Sequence, residues 1–304
     1  MAEHDTLLEA QGLGRSFGGK PVVANVSFTL RAGEVTGFVG ANGAGKTTTI
    51  RLMLGLLRGK GQTLYLGRPL LAWGAPGRVV GAVLGGVAGH PGHTVRAHLR
   101  MVAAGSGADD HRVDELLELV GLQGAAKMRL SGLSLGMSQR AGIAQALLGD
   151  PPVLILDEPA NGLDPHSLHW LRHFLRGQAA AGRAVLVSSH LLGEMEQLAD
   201  QVVVLTRGRV VATASMREIV EQAASRRTVT IETPELQALA GSVAAQGGVF
   251  EPSGEQRATI TGLDRKQIGD LALTEGIPVY WLHEEKPSLE DFYLRVAEEE
   301  FKIS

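Results

Sequence analysis

The sequence predicts an α/β protein with a small α+β domain at its C-terminal end. A glycine-rich phosphate loop lies between an apolar strand and a helix at residues 35–54. Apolar runs alternate with helical patterns as far as about residue 222, which is typical of a mostly parallel sheet covered by helices. From about residue 226 the pattern restarts in the order β-α-β-β-α-β, that of a ferredoxin-like unit. We therefore expect a larger domain at 1–222 and an accessory domain at 223–304.

Composition narrows the function classes. The 304 residues include no cysteine, which excludes disulfides, thiolate metal sites and cysteine nucleophiles. The net charge is −3 and no basic block stands out, which argues against binding to a phosphate backbone. Only 4% of the residues are aromatic, which argues against a surface that stacks on bases. Residues 1–5 lack the regions of a signal peptide, and no apolar run approaches the ~20 residues that span a bilayer. We therefore expect a cytoplasmic protein without a nucleic-acid partner.

The phosphate loop is the most informative feature of the chain. Short strands separated by turns are predicted before it, between residues 5 and 34. Residues 40–47 match the pattern G-x-x-x-x-G-K-[ST]. The alternative is an ordinary glycine-rich turn, but the complete pattern between a strand and a helix favours a phosphate loop. Lys46 is expected to reach the β- and γ-phosphates, and the Thr47 hydroxyl to bind Mg²⁺. The residues assigned to the nucleotide are Gly40, Asn42, Gly43, Ala44, Gly45, Lys46, Thr47 and Thr48.

Residues 86–149 are predicted to form a helical subdomain. Apolar residues at helical spacing mark a helix at 111–120, and a second helix is expected at 138–148. A Gly/Pro-rich loop precedes them. Two histidine trios, one in this loop and one on a later helix, are interpreted as solvated or capping residues because no shared carboxylates accompany them. The trios are His90, His93 and His98, and His166, His169 and His173.

The second half of a nucleotide site is predicted at 153–158. A continuous apolar run there reads as a strand buried on both faces, and it ends in Asp157 and Glu158. Parallel strands deliver the residues at their carboxyl ends to the crevice that also holds a phosphate loop. Asp157 is therefore expected beside Mg²⁺, and Glu158 is expected to orient and deprotonate the attacking water. The remaining elements of this domain are a helix at 167–181, a strand at 184–188, another helix, and strands at 201–206 and 209–214.

The accessory domain carries no recognisable chemistry. A proline at the first helical position and a capping-box pattern at Ser288–Asp291 mark two of its helix starts. Its predicted elements are strands at 228–232, 249–251, 258–261 and 278–282, and helices at 234–245, from Asp264 to about 275, and from Ser288 onward.

Together these motifs resemble the ATP-binding subunit of an ABC transporter over roughly residues 5–222. Residues 133–137, Leu-Ser-Leu-Gly-Met, are similar to the family's signature loop, with Leu135 and Met137 in place of the usual Gly and Gln. This variant is similar to the subgroup that exports antibiotics and peptides for self-protection. The resemblance implies a P-loop NTPase fold of ABC ATPase type. It also implies that Ser134 and Gly136 bind the γ-phosphate of ATP held by the opposite protomer.

Three further positions acquire roles through the resemblance. His190 matches the switch histidine that contacts the γ-phosphate and holds the water and Glu158 in register. Asp164 ends a loop, 159–164, that matches the segment crossing the dimer interface. Phe17 is either the aromatic that stacks on adenine or an ordinary core residue.

One position departs from the family. A Gln follows the strand after the phosphate-loop helix in these proteins, where it touches Mg²⁺ and begins the segment that couples to the membrane subunit. The matching strand here is 79–84 and the matching position is Gly85, with no Gln or Asn between Gln62 and Gln123 to replace it. Gly85 has no side chain for this role, so the resemblance predicts surviving but altered hydrolysis.

The resemblance implies an ATPase subunit with ATP and Mg²⁺ as cofactors. The partners it implies are a membrane permease, which holds the subunit on the inner face of the cell membrane, and a second ATPase subunit, with a homodimer preferred to a heterodimer. The accessory domain is expected to steady that dimer or its docking without contributing to the active site. The alternatives are a soluble ABC-type ATPase acting on nucleic acid, and a P-loop kinase or GTPase.

Overall fold

The computed structural model describes residues 6–224, 228–285 and 288–303. The chain divides into two compact units, one made of Met1–Ser215 together with Tyr293–Ser304 and the other of Met216–Phe292. The predicted boundary between residues 222 and 223 stays a prediction, and residues 1–5, on which the signal-peptide inference rests, lie outside the described residues. Within the described ranges, no helix is long and apolar enough to cross a bilayer.

The first unit combines two sheets with flanking helices. Its strands are β1 (Thr6–Phe17), β2 (Lys20–Arg31), β3 (Val35–Val39), β4 (Lys60–Tyr65), β5 (Arg68–Pro69), β6 (Val80–Leu84), β7 (Val153–Asp157), β8 (Ala184–Ser189), β9 (Gln201–Thr206) and β10 (Arg209–Ser215). Its helices are α1 (Lys46–Met53), α2 (Val95–Ser106), α3 (Asp110–Leu119), α4 (Leu135–Ala146), α5 (Pro165–Ala180) and α6 (Leu192–Leu198).

The larger sheet has the order β10-β9-β3-β8-β7-β6, and all its strands except β10 run parallel. Strands β3, β7 and β8 are buried along their whole length, which explains their continuous apolar sequences. Their register pairs Val39 with Ser189 and Asp157 with Ser188. The carboxyl ends of these strands therefore lie side by side, where the predicted catalytic residues follow them.

The smaller sheet is antiparallel, with the order β2-β1-β4-β5. The sequence predicted short separate strands before the phosphate loop, whereas β1 and β2 have 12 residues each. Register shifts interrupt the pairing of β1 between Ala10 and Leu13, where Gly12 has a φ of +61°. Such bulges break the period-two alternation of a strand, so a long bulged strand resembles several short ones in sequence.

The helical subdomain contains a helix that the sequence analysis missed. Helix α2 begins after Thr94, whose Oγ1 accepts the Ala97 N–H at 3.2 Å. His98, predicted to lie in a loop, is therefore on this helix, where it is buried with its Nε2 atom 2.8 Å from Gln145 Oε1. The signature helix α4 begins earlier than predicted because Ser134 caps it.

The second unit has the predicted β-α-β-β-α-β order. Its strands β11 (Thr228–Glu232), β12 (Val249–Pro252), β13 (Arg257–Thr261) and β14 (Trp281–Glu285) form an antiparallel sheet in the order β12-β13-β11-β14. Its helices are α7 (Met216–Ala224), α8 (Leu236–Ala245), α9 (Arg265–Thr274) and the start of α10 (Leu289–Ile303). Asp264 caps α9, and the capping pattern at Ser288 is confirmed. The prediction that Pro234 occupies the first position of a helix is wrong, because α8 begins at Leu236 with Glu235 as its N-cap. The last strand starts later than predicted, since ladder pairing with β11 begins at Trp281.

Candidate nucleotide-binding site

The phosphate loop joins β3 to α1 as the sequence predicts. Gly45 is the N-cap of α1 with a φ of +105°, and a Cβ there would lie 2.7 Å from the Val22 carbonyl oxygen. A Cβ at Gly40 would lie 2.3 Å from the carbonyl oxygen of Leu205. Glycine is therefore required at both positions. Because Gly45 has no side chain to cap the helix, the first N–H groups of α1 are available to an anion.

A cavity of about 240 Å³ opens beside this loop. Its described lining consists of Val22, Asn42, Gly43, Gly45, Lys46, Thr47, Thr48, Glu158 and Asn161. Gly40 and Ala44 take part through the backbone, since the Gly40 carbonyl accepts from Lys46 and the Ala44 carbonyl accepts the Gly208 N–H. Six of the eight loop residues predicted from the sequence therefore line one cavity, together with Val22 and Asn161, which were not predicted.

Lys46 is the central cation of the cavity. Its side chain is only 5% exposed, and its ammonium donates to the carbonyl oxygens of Gly40 at 2.6 Å and Ala41 at 3.3 Å. It also forms an ion pair with Glu158, with 3.1 Å between Nζ and Oε1. A buried ammonium needs such partners.

Glu158 lies between Lys46 and His190. Its second carboxylate oxygen, Oε2, is 3.0 Å from His190 Nδ1, a distance at which a protonated Nδ1 donates a hydrogen bond. The backbone of Glu158 has a φ of +49°, which is uncommon for a residue with a Cβ. The two predicted catalytic residues are therefore in direct contact at the edge of the cavity.

Ser188 connects the two acidic residues and was not identified from the sequence. Its hydroxyl donates to Asp157 Oδ1 at 2.6 Å and accepts the Glu158 N–H at 2.8 Å. The side chain is fully buried in the otherwise mostly apolar strand β8. A serine in such a strand, next to the strand that ends in two acids, is the sequence signal that could have indicated this role.

The donor set fits a magnesium ion accompanied by nucleotide. Thr47 lies in the cavity lining, and Asp157 is held next to Glu158 by Ser188. Mg²⁺ in such sites is bound by one or two protein ligands, with phosphate oxygens and waters completing the octahedron. Gly85 follows β6, whose Leu84 pairs with Asp157, and has a φ of +88° with open space around the Cβ position.

The remaining predicted binding residues lie outside the described cavity lining. Ser134 caps α4, with its Oγ accepting the Met137 N–H at 3.2 Å, and Gly136 packs close to Ser167. Asp164 caps α5, where hydrogen bonds from the Ser167 N–H and hydroxyl lower the pKa of its carboxyl group. Phe17 is 45% exposed, with the Arg15 guanidinium 4.8 Å from its ring centre, so it is not an ordinary core residue.

The histidine trios are dispersed or exposed. His90 and His93 have ring centres 5.2 Å apart, and the exposed His169 and His173 have Nε2 atoms 3.1 Å apart. Across the described parts of the chain, no group of three or more His, Cys, Asp or Glu residues is arranged to hold a metal.

One contact joins the C-terminal part of the chain to the phosphate loop. The N–H of Ala41, in the phosphate loop, donates to the hydroxyl of Tyr293 at 3.3 Å. Tyr293 and the rest of α10 after it belong to the first unit. A lone tyrosine in this helix is no signal of such a contact in the sequence.

The comparisons with known proteins agree with this site. The family model "ABC transporter" matches residues 23–161, and a domain of unknown function (DUF8746) matches residues 227–290. The chain is 40% identical over 222 residues to an uncharacterized ABC transporter ATP-binding protein, YhcH, of Bacillus subtilis, covering 70% of this chain and 71% of that protein. It is 33% identical over 304 residues to the Nod factor export ATP-binding protein I of Rhizobium sp. (strain N33), covering 97% and 98% of the two chains.

A solved structure of an ATP-binding subunit of an ABC transporter matches the fold with a TM-score of 0.64 and 31% identity, covering 71% of this chain and 93% of that one. The chain therefore belongs to the ATP-binding subunits of ABC transporters, which bind and hydrolyse ATP and work with a membrane permease.

Proposed function

We propose that Lys46, Glu158 and His190 form the catalytic centre of a subunit that drives export. The observation that carries this proposal is the position of Glu158, whose two carboxylate oxygens contact Lys46 and His190. When the phosphates of ATP become the partners of Lys46, Oε1 of Glu158 is released and can accept a proton from the attacking water. His190 keeps the other oxygen in place during this change. Nucleotide binding thus exposes the base at the position where it is needed.

The other predicted residues hold and orient the nucleotide. The N–H groups of the phosphate loop and α1 bind the phosphates, and the exposed ring of Phe17 offers adenine a stacking surface. Thr47 and Asp157 are the proposed ligands of Mg²⁺, which would neutralise phosphate charge when bound. Ser188 fixes one oxygen of Asp157 and so orients the carboxylate.

We further propose that two copies of this chain share each active site. Ser134 and Gly136 lie outside the described lining of their own cavity, which supports a role toward ATP bound by a second copy. Asp164 orders the adjoining loop by capping α5 and would contribute to the same interface. The accessory region would steady this homodimer or its docking.

Export is supported by relatives named as Nod factor export proteins that align over nearly the whole chain. A permease partner would hold this subunit on the inner face of the cell membrane. The relatives do not favour an ATPase acting on nucleic acid, and the net charge of −3 without a basic block agrees with them.

Complementation between two inactive variants tests the shared site. Lys46→Ala removes the cation that faces the phosphates, and Ser134→Arg blocks the signature loop, so each variant alone should hydrolyse ATP poorly. A mixture forms heterodimers in which one site combines an intact phosphate loop with an intact signature loop. Phosphate release should therefore reappear on mixing. Proven heterodimers without recovered activity would contradict the shared site, and wild-type protein without Mg²⁺-dependent ATP hydrolysis would contradict the proposed function itself.

A further inference from the structure

The hydroxyl of Tyr293 contacts the outer side of the phosphate loop. The Ala41 N–H donates to it at 3.3 Å, and both residues belong to the first unit of the chain. Neither residue is among the described residues that line the nucleotide cavity. Tyr293 therefore contacts the loop outside the described lining of the cavity.

The peptide unit that donates to Tyr293 is the one that holds Lys46. The peptide plane between Gly40 and Ala41 carries the Ala41 N–H on one side and the Gly40 carbonyl on the other, because a trans peptide directs the two groups in opposite directions. That carbonyl accepts from Lys46 Nζ at 2.6 Å. A single rigid plane is thus bonded to Tyr293 at its outer edge and to Lys46 at its inner edge.

We infer that Tyr293 is a positioning residue for the nucleotide site, acting on Lys46 through the Gly40–Ala41 peptide. The inference rests on the proposed role of Lys46 as the cation that receives the β- and γ-phosphates. By holding the plane, Tyr293 keeps the Gly40 carbonyl on the ammonium and so keeps Lys46 directed along the loop. Without the hydroxyl, the exposed Ala41 end of the loop can rotate, and Lys46 must be ordered when ATP binds.

The effect is modest and has a defined direction. A single hydrogen bond makes a small net contribution, and a contact of 3.3 Å in a partly exposed position belongs at the low end of the usual range. Tyr293→Phe should therefore raise the Kd for ATP and ADP about two- to threefold. Since Glu158 and His190 are untouched, kcat should stay the same while KM rises.

Nucleotide titration of the full chain tests this inference. Wild type, Tyr293→Phe and Tyr280→Phe are titrated with fluorescent analogues of ATP, ADP and AMP, and steady-state hydrolysis is measured in parallel. Tyr280 is a matched control because it is 65% exposed and belongs to the second unit. Only Tyr293→Phe should weaken ATP and ADP binding. AMP, which lacks the phosphates that Lys46 reaches, should bind all three proteins equally.

A second variant removes the same hydrogen bond from its other end. Ala41→Pro deletes the N–H donor, and because its Cδ takes the position of the amide hydrogen, the Tyr293 hydroxyl must also withdraw. This variant should therefore also raise the Kd for ATP. Adding Tyr293→Phe to Ala41→Pro should then cause no further rise, because both changes remove one interaction. Unchanged ATP affinity in Tyr293→Phe, equal weakening of AMP, or additive effects in the double variant would overturn the inference. Lys46→Ala should abolish tight ATP binding in every case, and if it does not, the proposed function fails as well.

Discussion

Replacing Glu158 by glutamine should slow ATP hydrolysis and at the same time tighten ATP binding. Loss of a general base typically lowers the rate by about 10²–10⁴-fold, so kcat should fall at least about a hundredfold. Binding should instead become tighter, because in the nucleotide-free protein the carboxylate competes with the phosphates for Lys46. Glutamine keeps the shape of the side chain and removes the charge.

The size of the gain follows from the ion pair. At 3.1 Å and an effective dielectric constant of ~20, the two charges attract each other by about 5 kcal/mol. Desolvation of Lys46 and Glu158, which are 5% and 19% exposed, offsets much of this attraction. Hydrogen bonds to charged groups typically retain about 1.5–3 kcal/mol. Taking the lower end, the Kd for ATP should fall about tenfold, since 1.4 kcal/mol corresponds to a factor of ten.

The Kd is measured by equilibrium titration with a fluorescent ATP analogue, and kcat is measured by phosphate release. In size-exclusion chromatography with ATP, the variant should accumulate as a dimer. Glu194→Gln is the matched control, because Glu194 is also a partly buried carboxylate in an ion pair, 3.6 Å from Arg172, and is absent from the described cavity lining. Glu194→Gln should change neither the Kd for ATP nor kcat. Substantial turnover by purified Glu158→Gln would place the base elsewhere, and an unchanged Kd would show that the carboxylate does not compete for Lys46.

Three further variants test individual parts of the site. Ser188→Ala should lower the free energy of unfolding by about 1–3 kcal/mol. It should also lower kcat more than Ser189→Ala, because Ser188 joins Asp157 to Glu158 whereas the neighbouring, equally buried Ser189 does not. Equal kcat values for the two variants would contradict this role. Gly85→Gln should shift the Mg²⁺ dependence of hydrolysis to a lower Mg²⁺ concentration, despite the strain of a φ of +88°. Gly182→Gln controls for that strain, because Gly182 has a φ of +92°. Superimposable Mg²⁺ curves for wild type and Gly85→Gln would refute a role for a glutamine side chain at this position. Asp164→Ala should lower the melting temperature at pH 7. The pKa of the Asp164 carboxyl group is lowered in the folded state, so its contribution to stability is present above the ordinary pKa of about 3.9 and is lost as the pH falls through the lowered pKa. The difference in melting temperature between wild type and Asp164→Ala should therefore shrink in acid. A difference that stays constant with pH would argue against this role.

The sequence was most informative where one chemical requirement fixed several neighbouring residues. The phosphate loop could be located because glycine is the only residue that fits against the carbonyls of Val22 and Leu205, and because Lys46 must follow at a set distance. The strand ending in Asp157 was equally clear, since burial on both faces requires an unbroken apolar run. In both cases local chemistry and global fold impose the same pattern.

The sequence was least informative where a role arises only from tertiary contact. Helix α2 was missed because the glycines and prolines before Thr94 hid its cap, and His98 reads as polar although it is buried against Gln145. The serine in the apolar strand β8 is a signal for Ser188, but its pairing with Asp157 depends on the register between β7 and β8, which the local sequence does not specify. Tyr293 meets a loop 252 residues away in the chain, and only the folded structure brings the two together.

The pairing of Lys46 with Glu158 also suggests why binding and hydrolysis are ordered in time. Neither charge is stable alone in a mostly buried position, so in the absence of nucleotide each neutralises the other. While Oε1 of Glu158 is paired with the Lys46 ammonium, that oxygen is engaged and is not offered to a water molecule. The triphosphate changes both conditions at once, since it supplies Lys46 with new anionic partners and leaves Glu158 with His190 alone. We propose that the same exchange of partners secures ATP in the cavity and prepares the base, so that water is activated only when a γ-phosphate is present to be attacked.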